Sequence, residues 1–147
     1  MSGAETLQAG CVSLDGRGLL IFGRPGSGKS RLALALLALG ATLVADDLLH
    51  LRRAGDALIA EAPRGRSGLI EARGVGLLRA PAARAARIAL AADLDRAESD
   101  RLPPRRSARL LGVAIPLILA ADTASASALA AALRAGGPLD PEGPLEA

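Results

Sequence analysis

The chain has 147 residues, 50% of them hydrophobic and 22% charged, with a formal net charge of +3. That length and composition suit one globular domain with its own core and exclude an intrinsically disordered chain. With one cysteine, Cys11, and one aromatic residue, Phe22, an internal disulfide and an aromatic platform for nucleic-acid bases are both excluded.

The modest, arginine-rich charge excess reads as solvated faces, so no nucleic-acid partner is expected. The most apolar run, residues 110–121, is 12 residues long and contains Pro116, short of the roughly 18 that a spanning helix needs. The first ten residues carry Glu5 and no basic cluster. Neither a membrane segment nor a secretory signal is expected, and the location implied is the cytoplasm.

Residues 11–14 and 18–22 are short apolar runs around Asp15-Gly16-Arg17, which predicts a β-hairpin because Asp-Gly suits tight hairpin turns. A glycine-rich octapeptide, residues 23–30, leads into good helix formers at 32–39, and Gly40 is placed to end that helix. Residues 42–45 read as a strand running into Asp46 and Asp47, and residues 48–52 and 57–60 as a second hairpin. A basic loop at 63–68 precedes a strand-like segment, 69–78, broken by Gly74 and Gly76, and a further strand is expected at 87–94. Residues 95–106 form a charged loop, where Pro103-Pro104 forbids regular structure. Residues 110–119 supply one or two more strands, and Asp122 is placed to cap a helix reaching Ala135. The ordered unit is therefore 1–135, with a Gly- and Pro-rich tail at 136–147 that is expected to be disordered.

The octapeptide Gly23-Arg24-Pro25-Gly26-Ser27-Gly28-Lys29-Ser30 satisfies the phosphate-loop pattern G-x-x-x-x-G-K-[ST]. Its glycines let successive N–H groups turn toward phosphate oxygens, and the helix behind adds its positive end. Lys29 is the only lysine among 18 basic residues, and it stands where a mobile ammonium meets the β- and γ-phosphates. The Ser30 hydroxyl is the pattern's ligand for Mg²⁺. A nucleotide or another polyphosphate is expected here.

Asp46 and Asp47 end the strand behind that helix, the edge that faces the phosphates in such folds. One carboxylate can hold Mg²⁺ and the other accept the proton of an incoming hydroxyl. If the strand runs through both, alternation points them to opposite faces. Glu71 and Arg73 alternate onto one strand face, either as a surface ion pair or as a metal ligand beside a charge stabiliser. His50 stands alone and reads as structural, and Cys11 as a small buried hydrophobe.

Taken together, GRPGSGKS, the VADD sequence behind it and IEARGVGLL resemble the HPr kinase/phosphorylase family. That family phosphorylates a seryl side chain of HPr, the small phosphocarrier protein of the sugar phosphotransferase system. The resemblance spans residues 7–118 and is to the short, catalytic-domain-only forms of alphaproteobacterial type. It implies an α/β fold, a P-loop domain of phosphoenolpyruvate-carboxykinase type with helices packed on a mixed β-sheet. It further implies ATP held by Gly23 to Ser30, Mg²⁺ held by Ser30 and Glu71, and an aspartate base for the seryl proton. Asp47 falls at the family's position for that base, with Asp46 beside it. Arg73 would belong to the catalytic surround, and Arg101, preceding LLGVAIP, matches the family's catalytic arginine. The implied partner is an HPr-like phosphocarrier protein, and the implied assembly a homohexamer.

Two departures bear on the direction of transfer. Gln8 stands where the family has a histidine, and LILAADTASASALAA replaces the segment tied to dephosphorylation. Both favour kinase over phosphorylase activity. Two other readings share the loop, a kinase of a small metabolite and a nucleotide-binding regulator that no longer catalyses. The lack of an obvious lid segment disfavours the former, and the retained acids the latter.

Overall fold

The computed structural model describes residues 3–122 and 124–144. Among these the elements run β1 (Ala4–Leu7), β2 (Gly10–Leu14), β3 (Arg17–Phe22), α1 (Lys29–Ala38), β4 (Thr42–Ala45), β5 (Leu49–Ala54) and β6 (Ala57–Glu61). They continue as β7 (Leu69–Ala72), β8 (Gly76–Arg79), β9 (Ala85–Asp93), β10 (Arg106–Leu110), β11 (Val113–Leu119) and α2 (Ala126–Ala135). The result is a mixed α/β fold around a curled sheet.

β9 is the strand on which the sheet branches. Its first residues pair antiparallel with β6, and its last three pair parallel with β11, while β3 lies parallel along its other edge. Beyond β3 come β2 and β4, both pairings antiparallel. It follows that β3, β4, β9 and β11 all point the same way, so the chain leaves their carboxyl ends at one edge. In open α/β sheets that edge is where ligands bind.

The central strands are buried on both faces, which is why they read as continuous apolar runs. On one face Val12, Leu14, Leu19, Ile21 and Leu90 pack against Leu32 and Leu36 of α1 and Leu129 and Leu133 of α2. On the other, Cys11, Leu20, Val44, Ile88 and Ala91 meet Leu49, Leu51, Leu58, Ile115 and Leu117 from the arms of the curl. Gly18 pairs with Ile88 but Leu19 with Leu90. This bulge leaves Ala89 over and lets Ile88 and Leu90 face opposite cores. Leu36 is fully buried at the centre of the helix-side core. Leu36→Ala is therefore expected to cost about 2–5 kcal/mol in chemical denaturation, the transfer term plus a cavity term.

α1 ends as the sequence predicts. Gly40 has φ +102°, the Gly40 N–H donates to Leu37 O, and the Ala41 N–H donates to Leu36 O, which is the Schellman closure. Several other expectations are corrected. β1 is an exposed edge strand held by pairing with β5, so no burial pattern announced it. β10 begins at Arg106, inside what reads as a loop, and pairs with β11 across a two-residue turn, Leu111 and Gly112, both with positive φ. α2 is capped by Ser125, whose hydroxyl accepts from the Ala128 N–H at 3.1 Å. Asp122 is left-handed at φ +63°, whereas a capping residue needs the extended conformation that Ser125 has.

The segment at 69–78 is a hairpin, not one broken strand. Its turn closes with the Val75 N–H donating to Ala72 O at 2.9 Å, and Gly74 takes φ +81°. Arg73 therefore sits in the turn and does not share a strand face with Glu71. Of the tail, residues 137–144 run without helix or strand, with one turn from Asp140 to Gly143, and residues 145–147 lie outside the described residues. Among the described residues no helix is long and apolar enough to cross a membrane.

Candidate functional site

β3 delivers the glycine-rich octapeptide to the common edge, and the loop's shape follows from its residues. The Ser27 N–H donates to Arg24 O at 3.0 Å. Pro25 and Gly26, the latter at φ +84°, fill the two central positions of that turn, as a type II turn requires. At Gly23 a Cβ would collide with the Ser27 hydroxyl. That hydroxyl is buried and has no hydrogen-bond partner among the described residues. Gly28, at φ +104°, caps α1 without any side-chain hydrogen bond to its first turn. The N–H groups of Gly28, Lys29 and Ser30 are thus left without acceptors among the described residues, at the positive end of a ten-residue helix.

Lys29 is the first residue of α1 and its side chain is only 8% exposed. The ammonium donates to Gly23 O at 2.6 Å and to Arg24 O at 3.4 Å, and lies 3.9 Å from Asp47 Oδ1. One turn position on, the Ser30 hydroxyl donates to Asp46 Oδ1 at 2.8 Å. The two aspartates therefore divide, one on Ser30 and one beside Lys29. The division does not come from strand alternation, because β4 stops at Ala45. It comes from the backbone, with Asp47 left-handed at φ +70° and its carboxylate 70% exposed. The paired hydroxyl and carboxylate of Ser30 and Asp46 form an oxygen donor set, the chemistry a hard divalent cation takes.

Among the described residues no hydrogen bond or ion pair joins the remaining candidates to this cluster. Ile70 and Ala72 turn into the core while Glu71 is exposed. Glu71 and Arg73 line an open concavity of about 630 Å³ around the hairpin turn. Arg101 is exposed on the loop between β9 and β10 and lines a second cavity of about 560 Å³, floored by Leu117, Leu119, Ala124 and Ala128. A bidentate ion pair braces that loop. Arg106 Nε and Nη2 donate to Glu98 at 2.8 and 2.9 Å, and the guanidinium holds the Glu98 carboxyl below the usual carboxylate range. Gln8 is exposed between β1 and β2. Burial pushes the Cys11 thiol up to about 12, so it packs as a neutral group. The His50 ring nitrogen lies 3.0 Å from the Thr6 hydroxyl across the β1–β5 pair.

One site residue was invisible in the sequence. Asp95, two residues beyond β9, accepts a hydrogen bond from the Arg24 N–H on both oxygens, at 3.0 and 3.1 Å. That bond holds its carboxyl below the usual range. The only available signal was an acid just past the end of a strand, and only the parallel β3–β9 pairing shows which loop it meets.

Comparisons with known proteins bear on the family and the fold. Residues 1–118 match the family model described as the HPr Serine kinase C-terminal domain. The chain is 41% identical over 71 residues to the HPr kinase/phosphorylase of Clostridium acetobutylicum, covering 48% of this chain and 23% of that protein. With the enzyme of the same name from Peptoclostridium acidaminophilum the identity is 43% over 76 residues, 51% of this chain and 25% of that protein. The match thus spans about a quarter of the length of these curated relatives. The solved structure of the Hpr(Ser) kinase/phosphatase from Coxiella burnetii superposes with a TM-score of 0.77 at 27% identity, covering 89% of this chain and 95% of that one. A family match over 118 of the 147 residues, carried on the same fold, shows that the chain belongs to the HPr serine kinase C-terminal domain family.

Proposed function

We propose that this chain is an ATP-dependent phosphotransferase that phosphorylates a serine of an HPr-like phosphocarrier protein in the cytoplasm. The observation that carries this reading is the paired arrangement at one sheet edge, Lys29 with Asp47 and Ser30 with Asp46. ATP is bound by the loop Gly23 to Ser30, with the open N–H groups and Lys29 on its phosphates. The Mg²⁺ that accompanies it is assigned to Ser30 and Glu71, beside the Asp46 carboxylate already hydrogen-bonded to the Ser30 hydroxyl. Arg73 and Arg101 belong to the catalytic surround by the family resemblance.

In the transfer, the seryl oxygen forms a bond to the γ-phosphorus while the bond to the β–γ bridging oxygen breaks. The hydroxyl proton passes to Asp47. Asp47 suits this role because its carboxylate is exposed, uncommitted to Ser30 and close to the ammonium that offsets phosphate charge. The fold reading that goes with this is the phosphoenolpyruvate-carboxykinase-type P-loop domain, and the assembly reading a homohexamer. Gln8 has no imidazole to titrate near neutral pH, which favours the kinase direction over the phosphorylase one.

The test is transfer of label from γ-labelled ATP with Mg²⁺ to purified HPr. Label on an HPr serine is the expected result. Nucleotide binding without any label on HPr would overturn the acceptor assignment in favour of a small metabolite or a non-catalytic regulator.

A further inference from the structure

The phosphate loop is tied down from two sides, and the outer tie has no assigned role. From inside, Lys29 holds the carbonyls of Gly23 and Arg24 at 2.6 and 3.4 Å. From outside, Asp95 holds the Arg24 N–H with both carboxylate oxygens. We infer that Asp95 is a positioning residue of the loop, the tie that keeps its curl when Lys29 leaves those carbonyls for a phosphate. This rests on the nucleotide reading above.

Asp95 is itself well fixed. The Leu94 N–H donates to Phe22 O at 2.8 Å, extending the β3–β9 pairing beyond the strand end. The Asp95 N–H donates to Asp93 Oδ1 at 2.8 Å, and Arg96 Nε donates to Asp93 Oδ2 at 2.8 Å. The carboxylate is thereby aimed at the loop by backbone and side-chain bonds.

The Arg24 N–H is a donor the loop can spend this way. Pro25 has no N–H, and the Ser27 N–H is used on Arg24 O, so the open donors at the helix end are those of Gly28, Lys29 and Ser30, and the Arg24 N–H is not among them. Asp95 therefore takes no phosphate donor out of use. Its second contact, from Arg24 Nε at 3.3 Å, involves a guanidinium 83% exposed, where solvent screens ion pairs. The backbone bond is the part that shapes the loop.

The rival role for a carboxylate at this position is an acidic plug that competes with phosphate, and the two roles predict opposite signs. The experiment is calorimetric titration of Mg²⁺–ATP and of inorganic pyrophosphate into wild type, Asp95→Ala and Asp95→Asn, with a thermal melt of each. Pyrophosphate isolates the loop from any contact made by the nucleoside. Asp95→Ala is expected to weaken both ligands about tenfold, the scale of one lost hydrogen bond to a charged group. Asp95→Asn keeps an oxygen for the Arg24 N–H and is expected to recover most of that loss. Unchanged or tighter binding in Asp95→Ala overturns the inference, the tighter result pointing to the plug. Equal weakening in both variants with matching losses of melting temperature also overturns it, leaving a purely structural role. A wild type that binds neither ligand removes the nucleotide reading itself, and that is seen before any variant is made.

Discussion

Lys29→Ala is expected to lower phosphotransfer by about 10²–10³-fold, the range seen when one preorganised donor to transition-state charge is removed. The ammonium is buried within the loop and is already engaged by Gly23 O and Arg24 O. Its removal deletes the buried ammonium of the site and one of the two ties on the loop. Folding should survive. The two carbonyls lose a charge-assisted partner, worth about 1–3 kcal/mol, but they belong to partly or fully exposed residues and water can replace it. Paired measurements of ATP titration and thermal melting separate the effects, and a normal titration in Lys29→Ala would remove the phosphate role.

The conservative replacement is expected to fail as well. The chain uses arginine at every other basic position, yet a planar guanidinium is larger and fixed in shape where the ammonium fits at 8% exposure. Lys29→Arg should therefore show the same loss in transfer, together with a larger loss of stability than Lys29→Ala from overpacking.

Sequence alone located the loop because the residues that set its turns are local. Three glycines and one proline lie within eight residues, at positions where a turn, a close approach or a positive φ favours them, and the single lysine of the chain follows directly. The hairpin at Asp15-Gly16 and the end of α1 at Gly40 were legible for the same reason. What could not be read was set by pairing between distant segments. β1 is mostly exposed and is held by its ladder with β5. The branching of the sheet depends on β9 changing partners along its length, with a bulge that reverses which side chains face which core. Asp95 meets a loop 71 residues earlier in the chain, and no local pattern carries that. Arg73 was misplaced because Gly74 reads equally well as a strand interruption or a turn, and only the closing bond from the Val75 N–H to Ala72 O decides.

The aspartate pair shows how such a misreading can still reach a testable arrangement. Alternation in a strand was the wrong reason for separating the two carboxylates, but a left-handed Asp47 parts them all the same. Asp47→Asn is the informative change, because asparagine tolerates φ near +70° better than most residues that carry a side chain. It also preserves the side chain's shape while losing a general base. Transfer to the seryl hydroxyl should fall by about 10²–10⁴-fold, the contribution typical of such a base. Nucleotide affinity should hold or improve slightly, since a negative charge 3.9 Å from Lys29 is removed.

Asp46→Asn should behave differently. Its carboxylate is committed to the Ser30 hydroxyl at 2.8 Å, so the expected defect is in the Mg²⁺ dependence, with activity recovering as Mg²⁺ is raised. Loss of transfer that no Mg²⁺ concentration restores in Asp47→Asn, beside a loss that Mg²⁺ restores in Asp46→Asn, would assign proton transfer and metal support to separate residues. Turnover at the wild-type rate in Asp47→Asn would remove the proton-acceptor role, and an Mg²⁺-insensitive loss in Asp46→Asn would move that role one residue back along the chain.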